Sequence, residues 1–196
     1  MLGVDALGFH FWPESPSYIP PEAARRIAER LPAFVTRVGV FVDEEPWKIA
    51  MIARDVGLTA VQLHGDEPPE ECASFSPLPW YKPFRVSPGF RPEILGRYPC
   101  TTYLLDAWRP DVAGSAAGRF DWRRARGLSL YGKIVIAGGL DPENVEEAIE
   151  QARPYGVDVA TGVEFAPGKK DLDKVEAFVR AVRRAQERLA EERPLP

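Results

Sequence analysis

The chain reads as a parallel α/β protein of the (βα)8-barrel type, on three observations. Apolar runs of strand length alternate with helix-like stretches and no linker or low-complexity segment interrupts them, a pattern that calls for a parallel sheet with crossover helices. Small residues sit at strand ends instead of in one glycine-rich loop, and no G-x-G-x-x-G fingerprint of a dinucleotide-binding doubly wound sheet is present. Two adjacent units share one build: Lys133-Ile134-Val135-Ile136 leads into Ala137-Gly138-Gly139-Leu140-Asp141-Pro142, and a strand over 156–164 carries Thr161-Gly162 before Pro167-Gly168-Lys169-Lys170-Asp171. In parallel barrels the last strand-to-helix loops and a helix N-terminus supply N–H groups to a phosphoester, so the pair predicts a phosphorylated small-molecule substrate.

Strands are expected over 6–11, 36–42, 59–64, 80–85, 101–106, 133–137 and 157–161, and helices over 21–31, 46–56, 68–74, 91–96, 121–127, 141–152 and 171–192. The first helix opens with Pro21-Glu22 and carries Ala24, Ile27, Ala28 and Leu31 at helical spacing. The last presents Val175, Phe178, Val179 and Val182 on one face and charged residues on the other, read as solvated surface. The 20 prolines fall mostly at helix starts and in loops, where a missing N–H costs little.

With 196 residues, 45% hydrophobic, the chain is long enough for one substantial core, and a single domain over 1–196 is expected. A net charge of −4 without a basic stripe gives no footprint for nucleic acid. No run approaches a membrane span and residues 1–5 have no basic n-region, so a cytoplasmic protein is expected. Cys72 and Cys100 are too few for a disulfide scaffold or a paired zinc site. No metal or cofactor is called for.

Together the motifs resemble the phosphoribosylanthranilate isomerase family of tryptophan biosynthesis. The resemblance rests on Ala6-Leu7-Gly8-Phe9 with Ser15-Pro16 and Tyr18, Arg37-Val38-Gly39-Val40-Phe41-Val42, Val61-Gln62-Leu63-His64-Gly65-Asp66, Leu104-Leu105-Asp106-Ala107 with Phe120-Asp121-Trp122, Ala137-Gly138-Gly139-Leu140, and Gly162-Val163-Glu164 with 167–171. It implies an Amadori rearrangement of an aminoaldose to an aminoketose without metal or organic cofactor. Such a reaction needs an acid for the furanose ring oxygen and a base for the C2′ proton.

The family's acid maps onto Asp106. Its base, a cysteine in a Lys-Ile-Cys-Gly-like first strand, has no counterpart here, because Met1 aligns with the tail of the first helix. The expected barrel therefore lacks its first strand and most of its first helix. Three readings follow: a start at an internal Met of a longer product, an active short form using another base, or a non-catalytic ligand-binding or scaffolding relative. For the second, His10 near the end of its strand is the candidate, with a pKa suited to proton abstraction; the alternative is a polar residue lining the pocket. Unpaired edges beside the absent strand would favour a homodimer.

Arg37 is expected to hold the anthranilate carboxylate through its guanidinium fork, or to make a salt bridge below the pocket. Gln62 and His64 share one strand face and reach toward the substrate, His64 contacting it or hydrogen-bonding a neighbouring loop. Gly138, Gly139, Thr161 and Gly162 are the phosphate residues. Thr161 stands where the family has Ser, Ser17 where it has Arg or Lys, and Ala113–Gly118 keeps only Gly114 and Gly118 of a Gly-Gly-x-Gly loop. Lys169 and Lys170 are read as exposed surface.

Overall fold

The computed structural model describes residues 2–72, 78–107 and 121–192. Its strands are β1 (Ala6–His10), β2 (Thr36–Phe41), β3 (Ala60–Leu63), β4 (Trp80–Val86), β5 (Thr102–Ala107), β6 (Lys133–Ile136) and β7 (Gly156–Val157), neighbours in chain order. Pairing is parallel throughout the registered ladders, with Ala6 opposite Thr36, Val38 opposite Ala60, Val61 opposite Trp80 and Val135 opposite Gly156. Parallel order gathers the C-terminal strand ends on one side, where chemistry sits in such folds. Where the sequence reads as one domain, compact packing divides the chain into residues 4–83 with 92–103, and residues 1–3 with 84–91 and 104–196.

The first of these units contains α1 (Pro21–Ala28), α2 (Pro46–Val56) and the single turn α3 (Pro69–Cys72). Helix α2 shows why these segments are helical. Pro46 supplies a preset φ at N1, Ile49, Ile52, Ala53 and Val56 recur at helical spacing and are buried, and Gly57 at φ 73° ends the helix in the left-handed region. Its inner face joins Phe9, Phe11, Phe41, Val61, Leu63 and Cys72 in one apolar cluster. Phe11 and Phe41 stack at 5.2 Å between ring centroids. Each fully buried large side chain here, Phe41, Ile49 or Leu63, contributes about 1.5–3 kcal/mol. The edge of β1 away from β2 is covered near its end: Tyr18 bridges His10, and the Ile19 N–H donates to the His10 carbonyl.

The second unit contains α4 (Val145–Ala152), the antiparallel ribbon β8 (Glu164–Ala166) with β9 (Lys169–Lys170), and α5 (Leu172–Glu191). Asp171 caps α5 by accepting from the N–H groups of Asp173 and Lys174, which offsets orphan donors of the first turn. Phe178, Ala181 and Ala185 line its buried face.

Several expectations need correction. Segments 91–96 and 121–127 form 3-10 turns in place of α-helices, Pro92–Arg97 and Trp122–Ala125, the tighter i→i+3 bonding that short connectors commonly adopt. The strand expected over 156–164 ends at Val157; Ala160 leaves the extended region at φ −113°, ψ −82°, and Thr161–Val163 closes a 3-10 turn. The charged side of α5 is not merely solvated, since Arg184 and Arg188 both pair with Glu146 of α4. Nor is Lys170 loose surface: its Nζ lies 2.7 Å from Glu164 and donates to the Ala160 carbonyl. The glycines of the 113–118 loop, and the end of the helix expected to reach residue 74, fall outside the described residues.

Candidate active site

Asp106 is the penultimate residue of β5, after the buried run Tyr103, Leu104 and Leu105. Burial pushes its carboxyl up to about 6, and the nearby Asp158 charge pushes the same way; the Ala107 N–H and Arg85 oppose the shift. A carboxyl held that high remains partly protonated near neutrality and is fit to donate a proton. Asp158 follows β7 directly, its N–H donating to the Ile136 carbonyl. Its own carboxyl is also raised, with burial the largest cause and Lys170 opposing. The residue as a whole is exposed, and Lys170 moderates the shift.

The Gly138 loop adjoins this acid. A Cβ on Gly138 would lie 2.4 Å from Asp106 Oδ1 and 2.5 Å from the Ala107 nitrogen, and its φ of +82° already disfavours a side chain. A Cβ on Gly162 would meet the Leu140 carbonyl oxygen at 1.9 Å. The backbone of the Thr161–Gly162 turn thus packs directly on the loop that carries Gly138 and Gly139. Asn144, buried, fixes that loop by donating to the Gly139 carbonyl and accepting from the Asp141 N–H. Gly138 therefore has a role that sequence reasoning did not assign: it lets the backbone pass against the acid.

In the unit that carries β1 to β3, His10 ends β1. Gln62 lies on β3 and His64 immediately beyond it, with Gln62 Nε2 2.5 Å from His64 Nδ1 and the Tyr81 hydroxyl donating to Gln62 Oε1 at 2.7 Å. Gln62 is buried and His64 half-buried. The peptide units around His64 are pinned from below. Lys82 Nζ donates to the carbonyls of Leu63 (3.1 Å) and Gly65 (2.5 Å) and to Glu67, whose other oxygen accepts from the N–H groups of Gly65 and Asp43. Lys82 and Glu67 are only 3% and 2% exposed, so each satisfies the other's buried charge. Sequence reasoning missed this pair, although a lysine inside the apolar run Trp80-Tyr81-Lys82-Pro83-Phe84 was a signal.

Arg37 does not join these groups. It is the second residue of β2 and shares strand parity with Gly39 and Phe41, which face Leu58 and the helix-side core. Its side chain lies in a shallow cavity lined by Arg25, Ala28 and Glu29 around α1 and by Arg54, Asp55, Val56 and Gly57 around the end of α2. That is the opposite end of the strand from His64. The Arg37 Nε is buried without a hydrogen-bond partner among the described residues.

Neither cysteine suits a base. Cys72 belongs to the apolar core, where burial pushes its thiol up to about 11. Cys100 precedes β5, and burial raises its thiol too. Among the described residues no group of three or more His, Cys, Asp or Glu side chains is placed to hold a metal, and no helix is long and apolar enough to cross a membrane.

These features define the class: a (βα)-barrel enzyme fold short of one strand, with a raised carboxyl and paired glycine loops at the C-terminal ends of its later strands. The model of the N-(5′-phosphoribosyl)anthranilate isomerase family matches residues 1–181. A protein of Trichlorobacter lovleyi named N-(5′-phosphoribosyl)anthranilate isomerase is 47% identical over 184 residues, 93% of this chain and 89% of the relative. The crystal structure of phosphoribosyl anthranilate isomerase from Thermotoga maritima superposes with a TM-score of 0.85 at 44% identity, covering 93% of this chain and 89% of that one. A phosphoribosyl anthranilate isomerase in complex with reduced 1-(o-carboxyphenylamino)-1-deoxyribulose 5-phosphate gives a TM-score of 0.83 at 43% identity over the same shares. The chain belongs to the N-(5′-phosphoribosyl)anthranilate isomerase family.

Proposed function

We propose that the protein isomerises N-(5-phosphoribosyl)anthranilate to 1-(o-carboxyphenylamino)-1-deoxyribulose 5-phosphate, a step of tryptophan biosynthesis, without a cofactor. The observation that carries the reading is Asp106: a carboxyl at a strand C-terminus, raised to about 6 and packed against the Gly138 loop. Asp106 gives its proton to the furanose ring oxygen as the C1′–O bond breaks, leaving the Schiff base of the open sugar. A base then removes the C2′ proton, and the resulting enol form tautomerises to the aminoketose. Family membership and the joined backbones of the two loops support assigning the phosphate to Gly138, Gly139, Thr161 and Gly162.

The proposed base is His10, an imidazole at the C-terminal end of β1; the core placement of Cys72 and the raised thiols of both cysteines favour it over either of them. Gln62 and His64 are proposed substrate contacts. Arg37 is left out, because its strand position and facing side chain put it among α1 and α2. A cytoplasmic protein that acts as a homodimer completes the proposal, the latter supported by the edge of β1, which pairs near its end with Tyr18 and Ile19 and not with a strand among the described residues.

The test is turnover of N-(5-phosphoribosyl)anthranilate by the purified chain beside Asp106→Asn and His10→Ala. Activity lost in both variants, with a product analogue still bound, supports the roles assigned. A folded wild-type chain that binds the analogue without turnover identifies instead a ligand-binding relative.

A further inference from the structure

We propose that Lys82 and Glu67 are positioning residues: their buried ion pair locks the loop after β3 to the loop after β2 and so sets where His64 stands toward the substrate. The inference deepens the function proposed above and rests on the reading of His64 as a substrate contact. The clamp itself stands on geometry alone.

An ion pair so deeply buried is a poor source of stability. Lys82 and Glu67 are 3% and 2% exposed, and two ions taken out of water contribute little over apolar side chains of the same size. What the pair supplies is direction. Two peptide units join His64 to the chain, and each is held. Lys82 Nζ donates to the Leu63 carbonyl of the first at 3.1 Å, and the Gly65 N–H of the second donates to Glu67 Oε1 at 3.1 Å. Because a peptide unit is planar, fixing both planes fixes φ and ψ of the residue between them, and with these the direction of its Cα–Cβ bond. The His64 N–H donates to the Phe41 carbonyl at 2.7 Å, and Lys82 Nζ also holds the Gly65 carbonyl at 2.5 Å.

The same carboxylate reaches across to the loop after β2. Glu67 Oε1 also accepts from the Asp43 N–H at 3.1 Å, and Asp43 Oδ1 accepts in turn from the Asp66 N–H at 2.7 Å. Asp43 stands at φ 46°, a left-handed conformation that a non-glycine residue keeps where its surroundings impose it. Gly65 lets the two loops close on each other, since a Cβ there would lie 2.2 Å from Asp43 Oδ1 and 2.5 Å from its nitrogen. Behind the pair, the Tyr98 hydroxyl donates to the Glu67 carbonyl at 3.2 Å, and Lys82 Nζ lies 5.9 Å from the Tyr98 ring centre. One lysine and one carboxylate therefore set the backbone on both sides of His64. The placement holds whichever atom of the ring meets the substrate.

The test is a cycle read in affinity for reduced 1-(o-carboxyphenylamino)-1-deoxyribulose 5-phosphate, measured by calorimetry well below the unfolding midpoint of each protein. Lys82→Met with Glu67→Leu strips every bond made by the two side chains and leaves neither charge buried. That variant and His64→Ala should each bind the analogue about tenfold more weakly. The three changes together should bind no more weakly than His64→Ala alone, because the clamp acts through His64. A merely structural pair would lower the unfolding midpoint and leave the affinity of the folded protein where it was. In the wild-type chain the Gly65 and Asp43 N–H groups should exchange with solvent as slowly as those of the buried strands. Unchanged affinity in the folded pair variant, losses that add in the triple variant, an unaffected His64→Ala, or fast exchange at Gly65 and Asp43 each overturn the proposal. Should the pair variant fail to fold, Lys82→Met with Glu67→Gln takes its place in the cycle. A wild-type chain that binds the analogue without turnover removes the isomerase reading alone; one that does not bind it removes both.

Discussion

Replacing Asp106 by Asn should inactivate the protein and stabilise it at neutral pH. The folded-state carboxyl lies at about 6 against an ordinary value of 3.8, so the folded state holds the proton more tightly than the unfolded chain does. Its contribution to stability is fully present below the unfolded pKa and is lost as pH rises through about 6. At about 1.4 kcal/mol per unit, ionising the buried carboxyl costs about 3 kcal/mol by neutral pH. Asn has the same shape, keeps an oxygen to accept from the Ala107 N–H and never ionises. Some residual solvent at the side chain reduces the expected gain to about 2 kcal/mol, or about 1 M in urea midpoint for a slope of about 2 kcal/mol per M. Urea unfolding of both proteins at about pH 4.5 and 7.5 should show the variant's lead over wild type growing by about 1–2 kcal/mol from the acid pH to the higher one. In the isomerase assay the variant should lose about 10²–10⁴ in kcat, the usual contribution of a general acid. A variant that gains no stability relative to wild type between the two pH values refutes the buried carboxyl; one that keeps full activity refutes its role.

Three further outcomes follow from the same geometry. Gly138→Ala should lose at least about 2 kcal/mol and most activity, since the new Cβ would sit 2.4 Å from Asp106 Oδ1 on a backbone at φ +82°; thermal unfolding together with turnover checks it, and a neutral substitution would contradict the close approach. Lys82→Met should cost about 3–5 kcal/mol by leaving Glu67 buried and unpaired, while Lys82→Met combined with Glu67→Gln should cost clearly less than the two single changes added, read by denaturant titration. Alkylation by iodoacetamide should leave turnover unchanged over minutes, because burial raises both thiols, that of Cys72 to about 11; rapid inactivation with one thiol modified would return a cysteine to the mechanism.

Much of this molecule was legible because its strands are short apolar runs bounded by turns, and seven of them lie close to where the pattern puts them. What failed did so for identifiable reasons. Val157-Asp158-Val159 alternates as a strand should, yet the ladder stops at Val157, and the Gly162 backbone folds back onto the Leu140 carbonyl. Periodicity describes which face is apolar and is blind to a loop that bends for a ligand.

Arg37 was hard to place from sequence because both faces of a parallel strand are buried, so hydrophobicity does not say which faces the helices. Its place at the start of β2 was the better guide, since side chains there lie far from the C-terminal end. Asp106, proposed as the acid, sits at the other end by that same rule. The glycines show what residue type alone withholds: Gly138 was read as room for a phosphate, yet the contact that forbids a Cβ there is the oxygen of the proposed acid itself. A carboxyl kept at about 6 needs water excluded by backbone at close range, and only glycine lets the β6 loop come that near. The loop assigned to the phosphate therefore also sets the proton affinity of the group assigned to the ring oxygen, so changes at Gly138 should alter binding and catalysis together.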